Sequence, residues 1–401
     1  MTSPLKQPAR PNAALLTRII PELYLESTAM HVIRVQQLDN LFSYRERWEE
    51  LADGCVFRSW TWLSTWWKHY QSLRPAQSLN VLLVFDREHG KPQPKHLLAI
   101  LPCYLNTSLT RGKVLRLLGD GEVCSDHLSL LVKPDNASRV SEALADYLVH
   151  QLEEWDLIDL STIDDQDVAI GLLGSALQSQ GCHTSRQAGP NSWSVTLPDH
   201  WEEFLALQSK SHRKQLRRLE KRILDTGQGV WHLAQTQQDF DIAWTILVDL
   251  HQRRRISLGE PGCFASQRWA DFHRDVAGQL LQSGQLRLSW LELGGQPAAA
   301  EYHLAGSQAT FAYQGGIDPD RLEEEPGRLS TIRTIQHAIG EGHLEFDLLR
   351  GDEPYKAHWR ATPRPTNNIQ IVPPRNSARW RYQAWNCLRE ARQLTRKFAN
   401  S

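Results

Sequence analysis

The segment Thr310-Phe-Ala-Tyr-Gln-Gly-Gly-Ile317 and the turn Glu325-Pro-Gly-Arg-Leu-Ser330 decide the fold of the second half of this chain. The first segment is a short run of apolar and aromatic residues with glycines near its end, a pattern typical of a β-strand. After the Pro-Gly turn, apolar residues recur at helical spacing, at Leu329, Ile332, Ile335 and Ile339. We therefore predict a strand that leads through a turn into a helix.

This strand and helix belong to a longer pattern that occurs twice. Strands at 286–293 and 297–304 precede them, a strand at 344–349 follows, and a helical region occupies about 200–283. The first half has the same order, with strands at 79–86, 97–105 and 114–118, a helix at 138–154 and a strand at 155–160. The order predicts a tandem of two related mixed α/β domains, each a mixed sheet flanked by helices.

These patterns divide the chain into four parts. We expect a Pro-rich, irregular tail at 1–28, a first α/β domain at 29–195, a second at 196–376 and a basic helical tail at 377–401. The boundary near residue 195 follows from the point where the helix-and-strand order begins again.

Composition excludes several classes of protein. The 401 residues contain 45 Lys+Arg and 46 Asp+Glu, a net charge of −1, which argues against DNA as a chain-wide partner. The six cysteines and sixteen histidines lack the spacing of metal ligands or of a disulfide framework, so we predict no metal and a reducing, cytoplasmic compartment. We expect neither a secretory signal nor a transmembrane helix.

A basic segment opens the second domain. Residues 210–222 contain seven Lys/Arg and one acid, a local charge of +6. On a helix, Arg213, Arg217 and Lys221 form one stripe, and like charges at this spacing repel each other by a few tenths of a kcal/mol. The segment therefore predicts a phosphate-binding surface, the alternative being a solvated helix face.

The C-terminal tail is a second basic region. It combines one acid, Glu390, with seven cations: Arg375, Arg379, Arg381, Arg389, Arg392, Arg396 and Lys397. This charge permits peripheral contact with acidic lipid headgroups or nucleic acid. Trp380, Tyr382 and Trp385 either stack on bases or dock the tail on the body of the protein, and we favour docking.

The Pro-Gly turn and the last strand supply the candidate site residues. The first amides of a helix have no intrahelical partner and attract anions, so Gly327, Arg328, Leu329 and Ser330 are candidates for binding a pyrophosphate; the alternative is a turn that only redirects the chain. Asp347, Tyr355, Lys356 and Trp359 lie in and just beyond the last strand, where reactive groups are common. Their alternative is a loop whose acids and bases pair with each other.

Taken in order, these features resemble the CelD-like, FemAB-related branch of the GNAT acyltransferases over about residues 30–372. The matching pieces are the Arg-rich helix at 213–218, Pro326-Gly327, and Phe346-Asp-x-x-x-Gly followed by Tyr355-Lys-x-x-Trp359. The resemblance implies tandem GNAT-like domains, acyl-CoA as co-substrate and a saccharide or amine acceptor. One departure is that the usual phosphate loop, Gln/Arg-x-x-Gly-x-Gly/Ala, is absent and three glutamates precede the turn.

The resemblance also implies roles for single residues. An acceptor amine would attack a thioester or ester carbonyl directly, with Glu301 or Asp347 taking its proton, although Asp347 suits a positioning role better. Lys356 and strand amides would stabilise the oxyanion, and Tyr355 or Tyr313 would protonate the leaving group. Arg213, Arg217, Lys221 and Trp359 would bind substrate. The motif Cys124-Ser-Asp-His127 is not assigned a nucleophile, because closeness in sequence does not supply the geometry.

Three functions remain open at this point. The first is an acyl-CoA-dependent acyltransferase acting on a cell-envelope or exopolysaccharide-related acceptor. The second is a FemAB-like aminoacyltransferase that uses charged tRNA, for which a basic helix is equally suitable. The third is a non-catalytic saccharide-binding subunit of a polysaccharide assembly system.

Overall fold

The structure, a computed structural model, describes residues 30–71, 76–87 and 92–399. The tail predicted at 1–28 lies outside these residues. The helices are α1 (Arg45–Ala52), α2 (Trp60–Tyr70), α3 (Ala137–His150), α4 (Val168–Ser179), α5 (Trp201–Leu207), α6 (Lys210–Leu219), α7 (Gln237–Ser257), α8 (Gln267–Gln282), α9 (Pro326–Gly340), α10 (Pro354–His358) and α11 (Asn376–Ala399).

The strands are β1 (Met30–Val35), β2 (Gln77–Leu79), β3 (Val81–Asp86), β4 (Leu97–Leu101), β5 (Cys103–Ser108), β6 (Gly112–Leu117), β7 (Leu131–Val132), β8 (Leu157–Asp164), β9 (His183–Ala188), β10 (Ser192–Thr196), β11 (Gly229–Leu233), β12 (Leu286–Leu293), β13 (Gln296–Ala305), β14 (Ala309–Ile317), β15 (Glu345–Arg350), β16 (Thr362–Arg364) and β17 (Thr366–Val372).

The first half of the chain forms two sheets, ordered β1-β3-β4-β7 and β2-β5-β6-β8-β17-β9. The strand predicted at 97–105 is divided at Pro102 into β4 and β5, which join different sheets. Proline has no amide to donate to a ladder, so the break falls at this residue. α2 is capped by Ser59, whose side chain accepts a hydrogen bond from the Trp62 amide at 3.1 Å, and it buries Trp62 and Trp66.

The second half forms one sheet, ordered β11-β12-β13-β14-β15-β10-β16. Neighbouring strands are antiparallel except β14 and β15, which are parallel because α9 connects them. α9, α5 and α6 pack on one face, around Phe204, Leu329 and Ile332. α7 and α8 pack on the other face, around Leu247 and Phe272, in a core that also contains residues of the first half.

Two strands cross the boundary that was predicted near residue 195. β10, placed by sequence in the first domain, pairs with β15 and β16 in the second sheet. β17, placed by sequence in the second domain, pairs with β8 and β9 in the first. Neither segment was among the predicted strands, and hydrophobic patterning does not encode which sheet a strand joins.

The two halves also share a core. Trp62 of α2 lies against Phe272 of α8 with ring centroids 5.2 Å apart, and Phe57 lies 5.3 Å from Phe311 of β14. The predicted fold class, a mixed α/β tandem with a helical C-terminal tail, is confirmed. Within the described part of the chain, no helix combines the length and the apolarity needed to cross a bilayer.

Candidate active site

A gap opens between the two parallel strands of the second sheet. β14 and β15 pair over Ala309–Phe311 and Glu345–Asp347 only, although β14 runs on to Ile317 and β15 to Arg350. We call the space between residues 312–317 and 348–350 the strand gap. α9 begins shortly after β14, and a β-carbon at Gly327 in its first turn would lie 3.3 Å from the Ile317 side chain, so the start of this helix lies beside the end of β14 that borders the gap.

Glu301 lies on the α9 face of the sheet, beside the strand gap. It is opposite Gly315 in the β13–β14 ladder, and its side chain is 15% exposed. A β-carbon at Gly315 would come within 2.5 Å of the Glu301 Oε2 atom, so a side chain at this position would displace the carboxylate. The Gly315 amide donates to the Gln314 side chain at 3.1 Å. The Glu301 carboxylate and the Gly315 amide, whose present acceptor is a side chain that a ligand could replace, therefore lie next to each other.

Tyr355 adds a phenol to this face. The residue is half exposed, at the start of α10. Desolvation of the hydroxyl, followed by the carboxylates of Glu353 and Glu301, raises the pKa of Tyr355 above its ordinary value. The phenol is therefore protonated at neutral pH and lies within electrostatic range of Glu301.

Lys356 binds backbone carbonyls at the end of β15, so its role as an oxyanion donor stays a prediction that these contacts do not support. Its side chain is 2% exposed, and Nζ donates to the carbonyls of Leu349, Arg350 and Gly351 at 3.1, 2.9 and 2.9 Å. Nζ also lies 2.9 Å from the Glu353 carboxylate, so acceptors surround the ammonium. Positive φ angles at Leu349 (58°) and Gly351 (113°) shape the turn that carries these carbonyls. Lys356 therefore holds the end of β15 in place.

Asp347 lies on the opposite face from Glu301, so the two predicted proton acceptors are not brought together. Phe346 and Leu348 pack towards α9, which directs Asp347 towards the first half of the chain. The Asp347 carboxylate is 1% exposed, accepts the Leu349 amide at 2.7 Å and lies 2.8 Å from His127 Nε2. This geometry fits the positioning role that the sequence favoured for Asp347.

His127 is a functional candidate that the sequence did not assign. Burial lowers its pKa, but the hydrogen bond and charge of Asp347 outweigh this effect, so the pKa lies above its ordinary value. Its neighbour Asp126 accepts the Arg350 amide at 2.7 Å, and its carboxylate also pairs with the Arg350 guanidinium. In the sequence, the motif ending at His127 was considered only as a site for a cysteine nucleophile, which was not assigned. A contact between His127 and β15 was not predicted.

Tyr313, the other predicted proton donor, is not available on the Glu301 face. Its hydroxyl donates to the Val123 carbonyl and lies 3.0 Å from His273 Nε2. Its ring belongs to the aromatic cluster around Phe57 and Trp62. Tyr313 therefore joins the two halves of the chain, and Tyr355 remains the phenol at the gap.

The start of α9 offers two amides and one buried hydroxyl. Glu325 precedes the helix at φ 58° and makes no side-chain cap, so the amides of Gly327 and Arg328 have no intrahelical acceptor. The Ser330 Oγ atom is buried and has no hydrogen-bond partner among the described residues. Leu329 is fully buried in the core, so its predicted contact with a ligand is not made by its side chain.

Two of the three glutamates before the turn, Glu324 and Glu325, are paired with cations. Glu324 pairs with Arg321 at 2.7 Å. Glu325 pairs with Arg328, accepts the Gln215 side chain at 2.9 Å and lies 3.7 Å from Arg218. Gln215 and Arg218 belong to α6, so the basic helix and the start of α9 are in contact.

α6 presents most of its cations to solvent. Of the predicted binding residues, Arg217 pairs with Glu202 at 2.6 Å, Arg213 donates to the Ala206 carbonyl at 3.4 Å, and Lys221 is exposed. Within the described ranges, four exposed cations have no carboxylate within 4.0 Å: Lys210, Lys214, Lys221 and Arg222. The unpaired charge predicted from the sequence is therefore present beside α9.

Trp359 is a packing residue, not an exposed surface for substrate. It is 5% exposed and lies 5.1 Å from the His212 ring of α6 and 6.4 Å from Phe204. Burial, then the charges of Arg328 and His358, lower the pKa of His212. This histidine therefore lies between the start of α9 and α10, and the three helices border one region.

The α9 face thus combines a helix N-terminus, a cationic helix, a carboxylate, a protonated phenol and a strand amide that donates to a neighbouring side chain, around the strand gap. Such a set can bind a phosphorylated group and exchange protons at a nearby carbonyl. No cluster of metal-ligating side chains is found among the residues that the structure describes.

Known proteins resemble the chain in part of its sequence and in its fold. Residues 210–357 match the family described as Acetyltransferase (GNAT) domain. No curated protein sequence matches the chain. The solved structure of FemX has a TM-score of 0.59 at 8% identity, covering 86% of this chain and 98% of FemX. A conserved protein of unknown function from Bacteroides thetaiotaomicron VPI-5482 has a TM-score of 0.51 at 10% identity, covering 85% of this chain and all of that one (100%).

The segment that matches the GNAT family starts at α6 and ends in α10, and so contains the strand gap, Glu301 and the start of α9. At 8% and 10% identity, the structural neighbours show the fold alone. The chain is therefore similar to FemX in fold and contains, at residues 210–357, a segment that matches the GNAT acetyltransferase domain.

Proposed function

We propose that the protein is an acyltransferase that moves an acyl group from acyl-CoA to an amine or hydroxyl of a cell-envelope or exopolysaccharide-related saccharide. The observation that carries this proposal is the strand gap, with the start of α9 and the Glu301 carboxylate on the same face. The match of residues 210–357 to the GNAT family supports the reaction type. The CelD-like branch and the saccharide remain predictions from the sequence.

Residues at the start of α9 fit the phosphates of acyl-CoA. The amides of Gly327 and Arg328 point out of the helix end, the partial positive charge of that end favours an anion, and the Ser330 hydroxyl lacks a partner among the described residues. The exposed cations of α6 lie beside this point. The Gly315 amide would then face the acyl carbonyl and stabilise negative charge on its oxygen.

Proton transfer falls to Glu301 and Tyr355. An alkyl ammonium with a pKa of ~10.4 costs ~4.6 kcal/mol to deprotonate at pH 7, so a nearby carboxylate must accept the proton as the nitrogen attacks. Glu301 fills this role at the Gly315 strand. As the new C–N bond forms and the C–S bond breaks, Tyr355, which is protonated at neutral pH, donates a proton to the departing thiolate.

Release of free thiol from acyl-CoA tests the proposal. Glu301→Gln should lower the rate by ~10²-fold or more, because it removes the proton acceptor without changing the shape of the side chain. Glu301 lies 3.4 Å from His303, and Glu292→Gln is the matched control because Glu292 likewise lies on a strand, 3.5 Å from His232. Absence of thiol release with every acyl chain and acceptor, together with no acyl-CoA-induced rise in the thermal midpoint, would reject the proposal.

A tRNA-dependent aminoacyltransferase is the second candidate. The four unpaired cations of α6 and of the turn that follows it favour this candidate. They extend beyond the start of α9, so they could bind a polyanion longer than the phosphates of CoA. Incubation with aminoacyl-tRNA in place of acyl-CoA distinguishes the two. Transfer that requires charged tRNA and shows no thiol release establishes the second candidate.

A further inference from the structure

The outer face of α11 is an apolar stripe that nothing in the described part of the chain covers. The inner face docks on the first half through Ala378 and Tyr382, which pack with Val114 and Val372. Trp380 is 72% exposed and Leu388 is 55% exposed. Three exposed small residues share their helical stripe, namely Ala384, Cys387 and Ala391. The large side chains are two turns apart on the side that points away from the protein.

A β-hairpin tip extends this face. Leu109, between β5 and β6, is 100% exposed. The guanidinium of Arg111 in the same tip lies 4.6 Å from the Trp385 ring centroid, and a β-carbon at Gly112 would come within 2.8 Å of the Arg381 side chain. The tip therefore lies beside α11, and its Leu109 is a third exposed large apolar side chain in this region.

Cations border the stripe. Arg379 and Arg381 are exposed and, within the described residues, have no carboxylate within 4.0 Å. The region from Arg375 to Lys397 carries seven cations and one acid, a charge of +6. An exposed helix with a narrow apolar stripe between cations is complementary to a bilayer surface, where negatively charged headgroups cover an apolar interior.

We propose that α11 and the hairpin tip bind the surface of an anionic lipid bilayer. Trp380, Leu388 and Leu109 would enter the boundary between headgroups and acyl chains, while Arg379 and Arg381 would contact the acidic headgroups. A nucleic acid fits less well, because Trp385 is held between Arg111 and Arg389, at 4.6 and 5.2 Å, and Tyr382 packs on the first half, which leaves Trp380 alone of the three predicted aromatic residues to stack on a base. This proposal is independent of the proposed function.

Sedimentation of the full chain with vesicles tests it, using phosphatidylcholine alone and phosphatidylcholine mixed with phosphatidylglycerol. We expect binding to the mixed vesicles only, about tenfold or more weaker for Trp380→Ser/Leu388→Ser and about fivefold weaker for Arg381→Gln. Phe42→Ser/Leu344→Ser is the matched control, because these side chains are 65% and 53% exposed elsewhere on the surface. An unchanged thermal midpoint in each variant confirms that the fold is intact.

Three results would overturn the proposal. One is equal binding to both kinds of vesicle, and another is undiminished binding by Trp380→Ser/Leu388→Ser. The third is the absence of vesicle binding together with an oligomer whose mass rises with protein concentration in the wild type but not in Trp380→Ser/Leu388→Ser. That result would show that the stripe binds a second copy of the chain.

Discussion

Replacing Lys356 with methionine separates a structural role from a catalytic one. Methionine retains most of the length of the side chain but removes the ammonium that binds the carbonyls of Leu349, Arg350 and Gly351. A buried acceptor that loses its partner costs about 1–3 kcal/mol. We therefore expect Lys356→Met to lower the free energy of unfolding by about 3 kcal/mol or more, with activity falling because the end of β15 loses its shape.

Urea unfolding followed by tryptophan fluorescence measures this effect. Lys133→Met is the control: Lys133 is 44% exposed and pairs with Asp53 at 3.0 Å, so its loss should change the free energy of unfolding by less than about 1 kcal/mol. The opposite pattern would refute the reasoning. If Lys356→Met unfolds at the wild-type urea concentration yet releases thiol at under about a hundredth of the wild-type rate, the ammonium acts in the reaction itself.

Three further predictions concern the gap and its surroundings. Because the pKa of His127 is raised in the folded state, its charge stabilises the fold below pH ~6.5, and this contribution is lost as the pH rises through the folded-state pKa. The urea midpoint should therefore fall more between pH ~6 and ~9 for the wild type than for His127→Gln. Parallel curves for the two proteins would contradict this. Gly315→Ala places a methyl group against the Glu301 carboxylate and should reduce thiol release by about tenfold or more, whereas Gly340→Ala, which meets open space, should leave it unchanged; equal rates in both variants would argue against a site at the gap. Lys214→Gln should raise the KM for acyl-CoA several-fold at low salt and little at high salt, and an effect that is independent of salt would exclude a charge contribution.

The fold could be predicted largely from local patterns. Short runs of apolar and aromatic residues predicted β14 and β15, and the helical spacing from Leu329 to Ile339 predicted α9, because burial selects apolar residues in these patterns. The sheet to which β10 and β17 belong could not be predicted in this way. Both strands pair with partners that are distant in sequence, and pairing depends on the packed structure rather than on a period.

The candidate site was predicted only in part. Glu301, the Pro-Gly turn and α6 lie around one gap. Each could be predicted from residue type, because small residues surround Glu301, Pro-Gly marks a helix start, and α6 is rich in cations. Lys356 was assigned a reactive role through the resemblance of the Tyr355-Lys-x-x-Trp359 ending, and the sequence does not show the cluster of carbonyls around its ammonium, which depends on the positive φ of Leu349 and Gly351. His127 was missed as a partner of Asp347 because 220 residues separate them.

The exchange of β10 and β17 has a consequence for any attempt to shorten the protein. β10 is an interior strand between β15 and β16, and β17 is an interior strand between β8 and β9. If the chain were cut near residue 195, the C-terminal fragment would lack β10 from the interior of its sheet. The N-terminal fragment would lack β17 from the interior of its own sheet. Each half supplies the piece that closes the other, so a minimal enzyme built from residues 210–357 alone would expose unpaired ladder edges and aggregate.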